Sequence, residues 1–256
     1  MGWEYLLSDD DFQLYRNNIY LLEEQVIQNF PDCDKAQEIL SAIRNVPRHF
    51  FVHESYRYLA YTDHAFPTYR GLTTSAPSVI AEMLYHAGIK RGEKLLEIGT
   101  GTGYEAAILS EMGVNVYTIE IDRMVALKAN QVLIRLGYKI DKRVSNEQQR
   151  KKILRNFYKV KKLFPYRGRI ELYMGNGRGG LPNKAPFHGI IVAASIFHSK
   201  YIERLIAQLF DEGGRLVVPI GNMQEQLMHI FEKRKSKIHT FILEDISFNF
   251  VRMILG

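Results

Sequence analysis

The sequence has few of the residues that cross-link or anchor a protein. It contains a single cysteine, Cys33, among 256 residues, which excludes a disulfide framework and any zinc site built from several cysteines. No apolar run approaches the roughly 18 residues that a membrane span requires. The first residues also lack the basic segment that begins a secretory signal. We therefore expect a cytoplasmic globular protein that does not associate with membranes.

Positive charge is concentrated in one segment. The formal net charge is +6, but residues 139–169 hold twelve Lys or Arg and two acidic residues, which leaves the rest of the chain at −4. Apolar residues between Leu154 and Phe164 recur at near-helical spacing, so we predict an amphipathic surface helix here. Such a basic insert indicates an anionic partner. The alternative is a solvated helix whose lysines only keep the surface soluble.

The order of the predicted elements indicates an α/β fold. Two helices are predicted within residues 10–45, and residues 46–77 are interpreted as mostly loop because of their prolines. From residue 94 onward, short strands alternate with helices, which is typical of a mainly parallel sheet with helices on both faces. Strands are predicted at 94–98, 114–119, 170–173, 189–194 and 214–220, helices at 77–86, 104–112, 124–136 and 200–209, and closing antiparallel strands at 226–231, 240–244 and 247–255.

We expect two parts of unequal size. Residues 1–76 would form N-terminal helices and loops that cover the substrate and cofactor. Residues 77–256 would form the sheet domain, with the basic insert at about 139–169.

The strongest chemical signal is a glycine-rich loop between a predicted strand and a predicted helix. Its sequence is Leu95-Leu96-Glu97-Ile98-Gly99-Thr100-Gly101-Thr102-Gly103-Tyr104. At such a junction glycines let a ligand approach the backbone, and the helix N-terminus offers free N–H groups. Glu120 ends the next strand, where a carboxylate can accept hydrogen bonds from ribose hydroxyls. This combination predicts a nucleotide-derived cofactor.

The spacing and charge of the loop separate the candidate cofactors. A dinucleotide fingerprint places its third glycine three residues after the second, whereas Gly101 and Gly103 are two residues apart. Glu97 precedes the loop and would repel a pyrophosphate, but it suits a ligand with a cationic amine. S-adenosyl-L-methionine carries an amine and a sulfonium and no phosphate. Glu97, the three glycines and Glu120 together resemble the cofactor motif of class I methyltransferases.

Segments on both sides of the loop carry further motifs. Val46–Val52 reads VPRHFFV, Ala60–Asp63 reads AYTD and Gly71–Pro77 reads GLTTSAP. Downstream, Gly175–Gly177 reads GNG and Ala185–Phe187 reads APF. Between about Asp34 and Gly221, these segments resemble the VPRHxFV, AYxD, GQTIS-x-P, GDG and APF signatures of the protein-L-isoaspartate O-methyltransferase family.

The resemblance implies a Rossmann-like class I methyltransferase fold. It also implies an enzyme that transfers a methyl group from S-adenosyl-L-methionine to a free carboxylate, most simply an isoaspartyl residue of a peptide or protein. The family assigns the active-site role to the serine matched by Ser75. The alternative is that Thr73 and Ser75 cap the following helix. The reaction requires no metal, and His49 and His53 are interpreted as structural. The cofactor-binding residues that we expect are Thr73, Thr74, Ser75, Glu97, Gly99, Thr100, Gly101, Gly103, Glu120, Asn176 and Gly177.

Several positions depart from the family pattern. Leu72 stands in place of a glutamine and His188 in place of an aspartate, and Asn176 replaces the acidic residue near the adenine. An amide at that position can still bind the adenine amino group, or it can be a simple turn residue. These departures and the basic insert leave three alternatives: a carboxyl methyltransferase with one dedicated peptide substrate, a nucleic-acid methyltransferase, and a non-catalytic cofactor-binding module.

Overall fold

The protein is described here by a computed structural model that covers residues 34–138, 140, 167–194, 199–221 and 226–243, with isolated positions between 13 and 26. The strands are β1 Phe66–Pro67, β2 Thr73–Thr74, β3 Lys94–Ile98, β4 Asn115–Glu120, β5 Ile170–Met174, β6 Gly189–Val192, β7 Glu212–Gly221, β8 Gln226–Arg234 and β9 Lys237–Leu243. The longer helices are α1 Asp34–Arg44, α2 Pro77–Ala87, α3 Tyr104–Glu111, α4 Arg123–Arg135 and α5 Ser199–Ile206.

One large sheet organises these elements. Its strands lie in the order β5-β4-β3-β6-β7-β8-β9, while β1 and β2 form a separate short hairpin. The strands from β5 to β7 pair in parallel, and β8 and β9 close the sheet as antiparallel strands. This confirms the predicted fold class. From β3 the chain adds β4 and β5 on one side and then β6 and β7 on the other, so the strand order reverses between β3 and β6. Ligands bind beyond the carboxyl ends of the strands at such a point.

Helices cover both faces of the sheet. Leu95 and Leu96 are adjacent in β3 and fully buried, yet they belong to different hydrophobic clusters because successive side chains of a strand point to opposite faces. The cluster around Leu95 includes residues of α1, α2 and α3, and the cluster around Leu96 includes Leu205 of α5. Within the described ranges, no helix is long and apolar enough to span a membrane.

The observed elements follow the predicted ones closely. The strand predicted at 94–98 has the same bounds, the helix predicted at 124–136 is α4, and the second predicted N-terminal helix is α1. Of the first predicted N-terminal helix, the described positions 13, 18–20, 22, 24 and 26 are helical. The predicted strand at 247–255 and nearly all of the predicted helix in the basic insert lie outside the described residues. The division at residue 76 stays a prediction.

A fully buried arginine holds the segment that precedes α2. Arg48 has no exposed surface, and its guanidinium donates hydrogen bonds to the carbonyl oxygens of Ala60 at 2.9 Å, Thr62 at 2.8 Å, His64 at 2.6 Å and Ser75 at 3.1 Å. Burying a guanidinium is tolerable only when such partners replace its water. Arg48 therefore joins the loop at 60–64 to the strand end that carries Ser75.

The amino end of α2 is capped from a distance. Its N-cap residue is Ala76, which has no side chain that can cap, and Pro77 occupies the first helical position. The free N–H of Ser78 instead donates to Oδ1 of Asp63 at 2.8 Å. The helix-cap role considered for Thr73 and Ser75 is therefore contradicted, because Asp63 fills it.

Candidate active site

A cavity opens at the carboxyl ends of the parallel strands. Ile98 ends β3, Glu120 ends β4, Gly175 follows β5 and Ala193 follows β6, and all four residues line this cavity. A further wall is formed by residues 72–75 of the chain before α2. The cavity lies where the strand order predicts a ligand site. It also brings together most of the cofactor-binding residues expected from the sequence.

The glycine-rich loop forms the floor of the cavity. The N–H groups of Gly99 and Thr100 both donate to the carbonyl oxygen of Ile119, at 2.9 and 3.2 Å, which ties the loop to the end of β4. Gly101 has φ 53°, and a Cβ atom built there would meet nothing within 4 Å. Its backbone therefore faces open space that a ligand can occupy. Gly99, Thr100 and Gly101 all line the cavity, as expected.

Gly103 has a different position from the other two glycines. It is not among the residues that line the cavity. Its φ is 88°, and a Cβ atom there would lie 3.2 Å from Cδ1 of Leu133 in α4. The structure thus places Gly103 in the packing between the start of α3 and α4.

Glu120 presents a buried carboxylate to the cavity. Oε2 accepts a hydrogen bond from the N–H of Gly101 at 2.9 Å, and Oε1 accepts one from the N–H of Asp122 at 3.0 Å. Burial raises the pKa of Glu120, although these backbone donors act in the opposite direction. The two hydrogen bonds fix the carboxylate beside the loop, and each oxygen keeps a lone pair for a ligand hydroxyl.

Glu97 is the most unusual acidic residue of the site. It is 1% exposed, and neither carboxylate oxygen has a hydrogen-bond partner among the described residues. Burial raises the pKa of Glu97 well above its ordinary value, and the nearby carboxylate of Glu105 raises it further, whereas the hydroxyl of Thr118 acts in the opposite direction. Buried charged groups are normally paired. The orphaned carboxylate of Glu97 therefore marks the place where a cationic group can bind.

The turn after β5 supplies the far end of the cavity. Oδ1 of Asn176 accepts a hydrogen bond from the N–H of Arg178 at 3.0 Å, so the amide also has the turn role considered above. A Cβ atom at Gly177 would lie 2.5 Å from Cγ2 of Ile98. Glycine is thus required at 177, because the turn lies directly against the end of β3. Asn176 and Gly177 both line the cavity, as expected.

The segment at 73–75 lines the same cavity as the glycine loop. Thr73 and Thr74 form β2, which pairs with β1, and Thr74 is buried. The carbonyl oxygen of Ser75 is held by Arg48, so the backbone that carries the Ser75 hydroxyl is fixed. All three residues line the cavity. The turn before them is attached to α4, because Nε of Arg70 lies 2.5 Å from Oδ2 of Asp122.

The cavity contains several residues that the sequence did not single out. Ile98, Ile119 and Ile121 give it apolar walls. Glu105, in the first turn of α3, adds a third carboxylate, whereas no Lys, Arg or His lies among the lining residues that the structure describes. Glu105 stands two residues after Gly103, and this proximity to the loop was the signal in the sequence that could have identified it.

Comparison with known proteins decides the family. The family model for protein-L-isoaspartate(D-aspartate) O-methyltransferase (PCMT) matches residues 22–253. The chain belongs to this family. A protein-L-isoaspartate O-methyltransferase of Opitutus terrae is 34% identical over 230 residues, which cover 90% of this chain and 84% of the relative. One of Gloeobacter violaceus is 37% identical over 194 residues, covering 75% and 78%.

Solved structures of the PCMT family share the fold. A protein-L-isoaspartate O-methyltransferase aligns with a TM-score of 0.66 and 23% identity over 93% of this chain and 65% of its own. A Plasmodium falciparum member, solved in complex with S-adenosyl-L-homocysteine, aligns with a TM-score of 0.64 and 19% identity over 93% and 98%. Membership of the PCMT family makes this chain an S-adenosyl-L-methionine-dependent O-methyltransferase.

The residues of the cavity fit S-adenosyl-L-methionine. The unpartnered carboxylate of Glu97 matches a cationic ligand, and the fixed carboxylate of Glu120 matches ribose hydroxyls. The apolar walls suit an adenine ring, and the open space above Gly101 admits a ligand close to the backbone. Three lining carboxylates without a described basic partner are incompatible with a pyrophosphate, as the sequence argument anticipated.

The histidines that the sequence singled out take part in the fold. Nδ1 of His49 lies 2.7 Å from the hydroxyl of Tyr61, inside the protein. Nδ1 of His53 accepts the N–H of Ser55 at the start of a short 3-10 turn. His188 stacks on Phe210, and its Nδ1 accepts the N–H of Lys94 at 3.3 Å. His188 therefore joins the amino ends of two strands, far along the sheet from the cavity.

Proposed function

We propose that this protein methylates the free side-chain carboxylate of isoaspartyl residues in peptides and proteins. One observation carries the proposal: Ser75, on a backbone fixed by Arg48, lines the same cavity as the buried carboxylates. A methyl donor bound in the cavity would therefore have Ser75 beside it. Curated relatives that cover most of the chain bear the name of this activity.

The chemistry asks little of the protein beyond positioning. A carboxylate is ionised at neutral pH and needs no general base. S-adenosyl-L-methionine supplies an activated methyl group on its sulfonium. We assign Ser75 the task of donating a hydrogen bond that orients the substrate carboxylate. The buried surroundings of Thr74 limit access of water to the Ser75 segment, and the fixed backbone of Ser75 limits its motion. Holding the reacting groups in alignment lowers the barrier to methyl transfer.

Each cofactor contact has a proposed residue. Glu120 would bind the ribose hydroxyls, and Asn176 would bind the adenine amino group through its amide oxygen. The amine would bind Glu97, and the backbone of Gly99–Gly101 would lie beneath the cofactor. Gly103 has no contact in this proposal, since its place is in the packing of α3 on α4.

Transfer of a labelled methyl group to paired peptides tests the proposal. Two peptides of the same sequence, one with an isoaspartyl and one with an aspartyl residue, are incubated with protein and labelled S-adenosyl-L-methionine. We expect label on the isoaspartyl peptide alone. Label on neither peptide, from protein that binds the cofactor, would contradict the substrate and favour a dedicated substrate or a non-catalytic binding role. Label on nucleic acid instead would favour the remaining alternative.

The departure at position 188 gives the dedicated-substrate alternative no support. The ring of His188 is occupied by Phe210 and by the backbone of Lys94. The substitution therefore concerns the packing of the sheet and not the cavity. The anionic partner of the basic insert and the cytoplasmic location stay predictions.

A further inference from the structure

Two buried carboxylates lie in the same cavity, on different elements. Glu97 belongs to β3 and Glu105 to the first turn of α3, and both line the cavity. Glu105 is 6% exposed, and its Oε1 has no hydrogen-bond partner among the described residues. Both oxygens of Glu97 also lack a partner at full hydrogen-bond geometry among the described residues, and the Thr118 hydroxyl beside them carries no charge. The fold thus concentrates acidic groups that it does not itself neutralise.

The groups that surround this pair leave its charge uncompensated. Glu120 adds a third negative charge from β4. From the N-terminal segment, the guanidinium of Arg48 lies 5.6 Å from the ring of Tyr104, and Asp63 acts on the same tyrosine. Arg48 already donates to four carbonyl oxygens. At the other end of α3, Glu111 is paired with Arg167 at 2.6 Å and lies outside the cavity.

Burial gives both carboxyl groups a strong preference for the neutral form. It raises the pKa of Glu105 to about 8, and burial together with the charge of Glu105 raises the pKa of Glu97 well above its ordinary value. Two interacting acids of this kind titrate as a pair. Near neutral pH, the pair therefore stays partly protonated until a cation binds.

We propose that Glu105 and Glu97 form a paired acidic subsite that holds at least one proton until the cationic part of S-adenosyl-L-methionine binds and displaces that proton into solvent. The inference rests on the cofactor site proposed above. It makes Glu105 a determinant of cofactor affinity and makes that affinity dependent on pH. A bound cation favours the ionised carboxylates, so affinity rises with pH, by at most tenfold per pH unit for each proton released.

Calorimetry measures the released proton directly. S-adenosyl-L-methionine is titrated into the full-length protein at pH 7 in two buffers of different ionisation enthalpy, and the difference in apparent binding enthalpy gives the number of protons exchanged. For the wild type we expect net release approaching one proton, and tighter binding at pH 8 than at pH 6. Cofactor binding with the same enthalpy in both buffers overturns the inference while leaving the proposed function intact. Absence of any cofactor binding overturns both.

Glu105→Gln isolates the contribution of Glu105. Glutamine has the shape of the protonated acid, so the variant keeps the packing of α3. We expect the proton release to fall by at least half, because one site and its repulsion of Glu97 are both removed. Affinity at pH 8 should fall about tenfold, since a charge-assisted contact is lost. Glu203→Gln removes the same charge from an exposed position on α5 and should leave both quantities unchanged. Unaltered proton release in Glu105→Gln contradicts the inference.

The unliganded protein provides a second measurement. A carboxyl group whose pKa is raised in the folded state stabilises the protein at low pH. This contribution is lost as the pH rises from the ordinary pKa of the group through its raised pKa. With Glu105 raised from 4.5 to about 8, thermal denaturation without cofactor should show the melting temperature falling over this range. Glu105→Gln should flatten the decline, and saturating cofactor should do so in the wild type. An equally steep decline in the variant would contradict the inference.

Discussion

Arg48 shows how a single side chain can organise a site that it does not enter. Its guanidinium connects carbonyl oxygens of residues 60, 62, 64 and 75, and it is absent from the lining of the cavity. The resemblance identified the VPRH segment but gave no role for the arginine. That role depends on four carbonyls distant in sequence, which spacing and periodicity cannot reveal.

Arg48→Lys should destabilise the protein. A lysine has three donors at one point and cannot reach four carbonyls spread around a planar guanidinium. Each buried carbonyl left unpaired costs about 1–3 kcal/mol. We expect a lower urea midpoint, measured by circular dichroism, with an unchanged slope. The matched variant Arg204→Lys, on the exposed part of α5, should keep the wild-type midpoint. Equal midpoints for wild type and Arg48→Lys would show that the four hydrogen bonds contribute nothing.

Ser75→Ala separates catalysis from helix capping. Because Asp63 and not Ser75 caps α2, the variant should keep its free energy of unfolding to within about 0.5 kcal/mol. Its turnover on the isoaspartyl peptide should fall about tenfold or more, since one hydrogen bond to the substrate is lost. Cofactor affinity should stay within a few-fold. Single-turnover rates and urea titrations check this. Retained turnover with a loss of about 1 kcal/mol of stability would point back to a cap.

The two ends of the glycine loop should respond differently to alanine. At Gly101 a Cβ atom enters the open cavity, so Gly101→Ala should weaken cofactor binding in addition to the strain that a φ of 53° imposes on alanine. At Gly103 the φ of 88° and the contact with Leu133 make alanine strained, which should cost about 1–3 kcal/mol. Calorimetry and urea titration of both variants test this contrast. Similar losses of affinity in both would place Gly103 at the cofactor after all.

At the scale of elements, the hydrophobic pattern of the sequence was sufficient to predict the parallel strands. Most residues of β3 and β6 are apolar and buried, and such runs are typical of buried parallel strands. The limits of the strands in the β8–β9 hairpin are harder to predict from the sequence. Its turn residues, Lys235 and Ser236, have φ of 47° and 63°, a conformation that asparagine and glycine normally signal. The strand predicted to begin at residue 240 therefore begins at Lys237.

The cap of α2 is a contact between elements, and its loss should be measurable. Asp63→Ala removes the acceptor of the Ser78 N–H, which costs about 1 kcal/mol. Asp63→Asn keeps an amide oxygen as acceptor and should restore most of the loss. Thermal denaturation of the three proteins gives the comparison. Because α2 begins two residues after Ser75, peptide turnover should fall in Asp63→Ala more than cofactor affinity does. Equal stability of Asp63→Ala and the wild type would remove Asp63 as the cap.

At the scale of the whole molecule, the described residues at the two ends of the basic insert lie at the end of the sheet opposite the cavity. Tyr138 directly precedes the insert and Arg167 lies near its carboxyl end, and the two are adjacent, with the guanidinium 4.3 Å from the tyrosine ring. Both contact Glu111, at the end of α3, and Gly168 exchanges hydrogen bonds with Ser110. This is the edge where β5 begins, whereas the cavity lies where β5 ends. A five-residue strand separates them by roughly 15 Å.

This separation sharpens the prediction for an anionic partner. At physiological ionic strength, charges are screened over about 8 Å, so charges held close to the described ends of the insert would not act on a short peptide in the cavity. They would act on a substrate long enough to reach both places. An acidic tail of about six or more extended residues spans the distance. Recruitment by the insert should therefore depend on the length and the charge of the substrate.

Charge reversal tests recruitment with two isoaspartyl peptides, one short and neutral, the other extended by an acidic tail. Lys151, Lys152, Lys159 and Lys162 are changed together to Glu. At low salt, the wild type should have a higher kcat/KM on the tailed peptide, because attraction speeds association, and added salt should remove that advantage. The variant should lose the advantage and keep the wild-type rate on the short peptide, since the cavity is untouched. If the wild type and the variant have the same kcat/KM on the tailed peptide at low salt, the lysines serve only to keep the surface soluble.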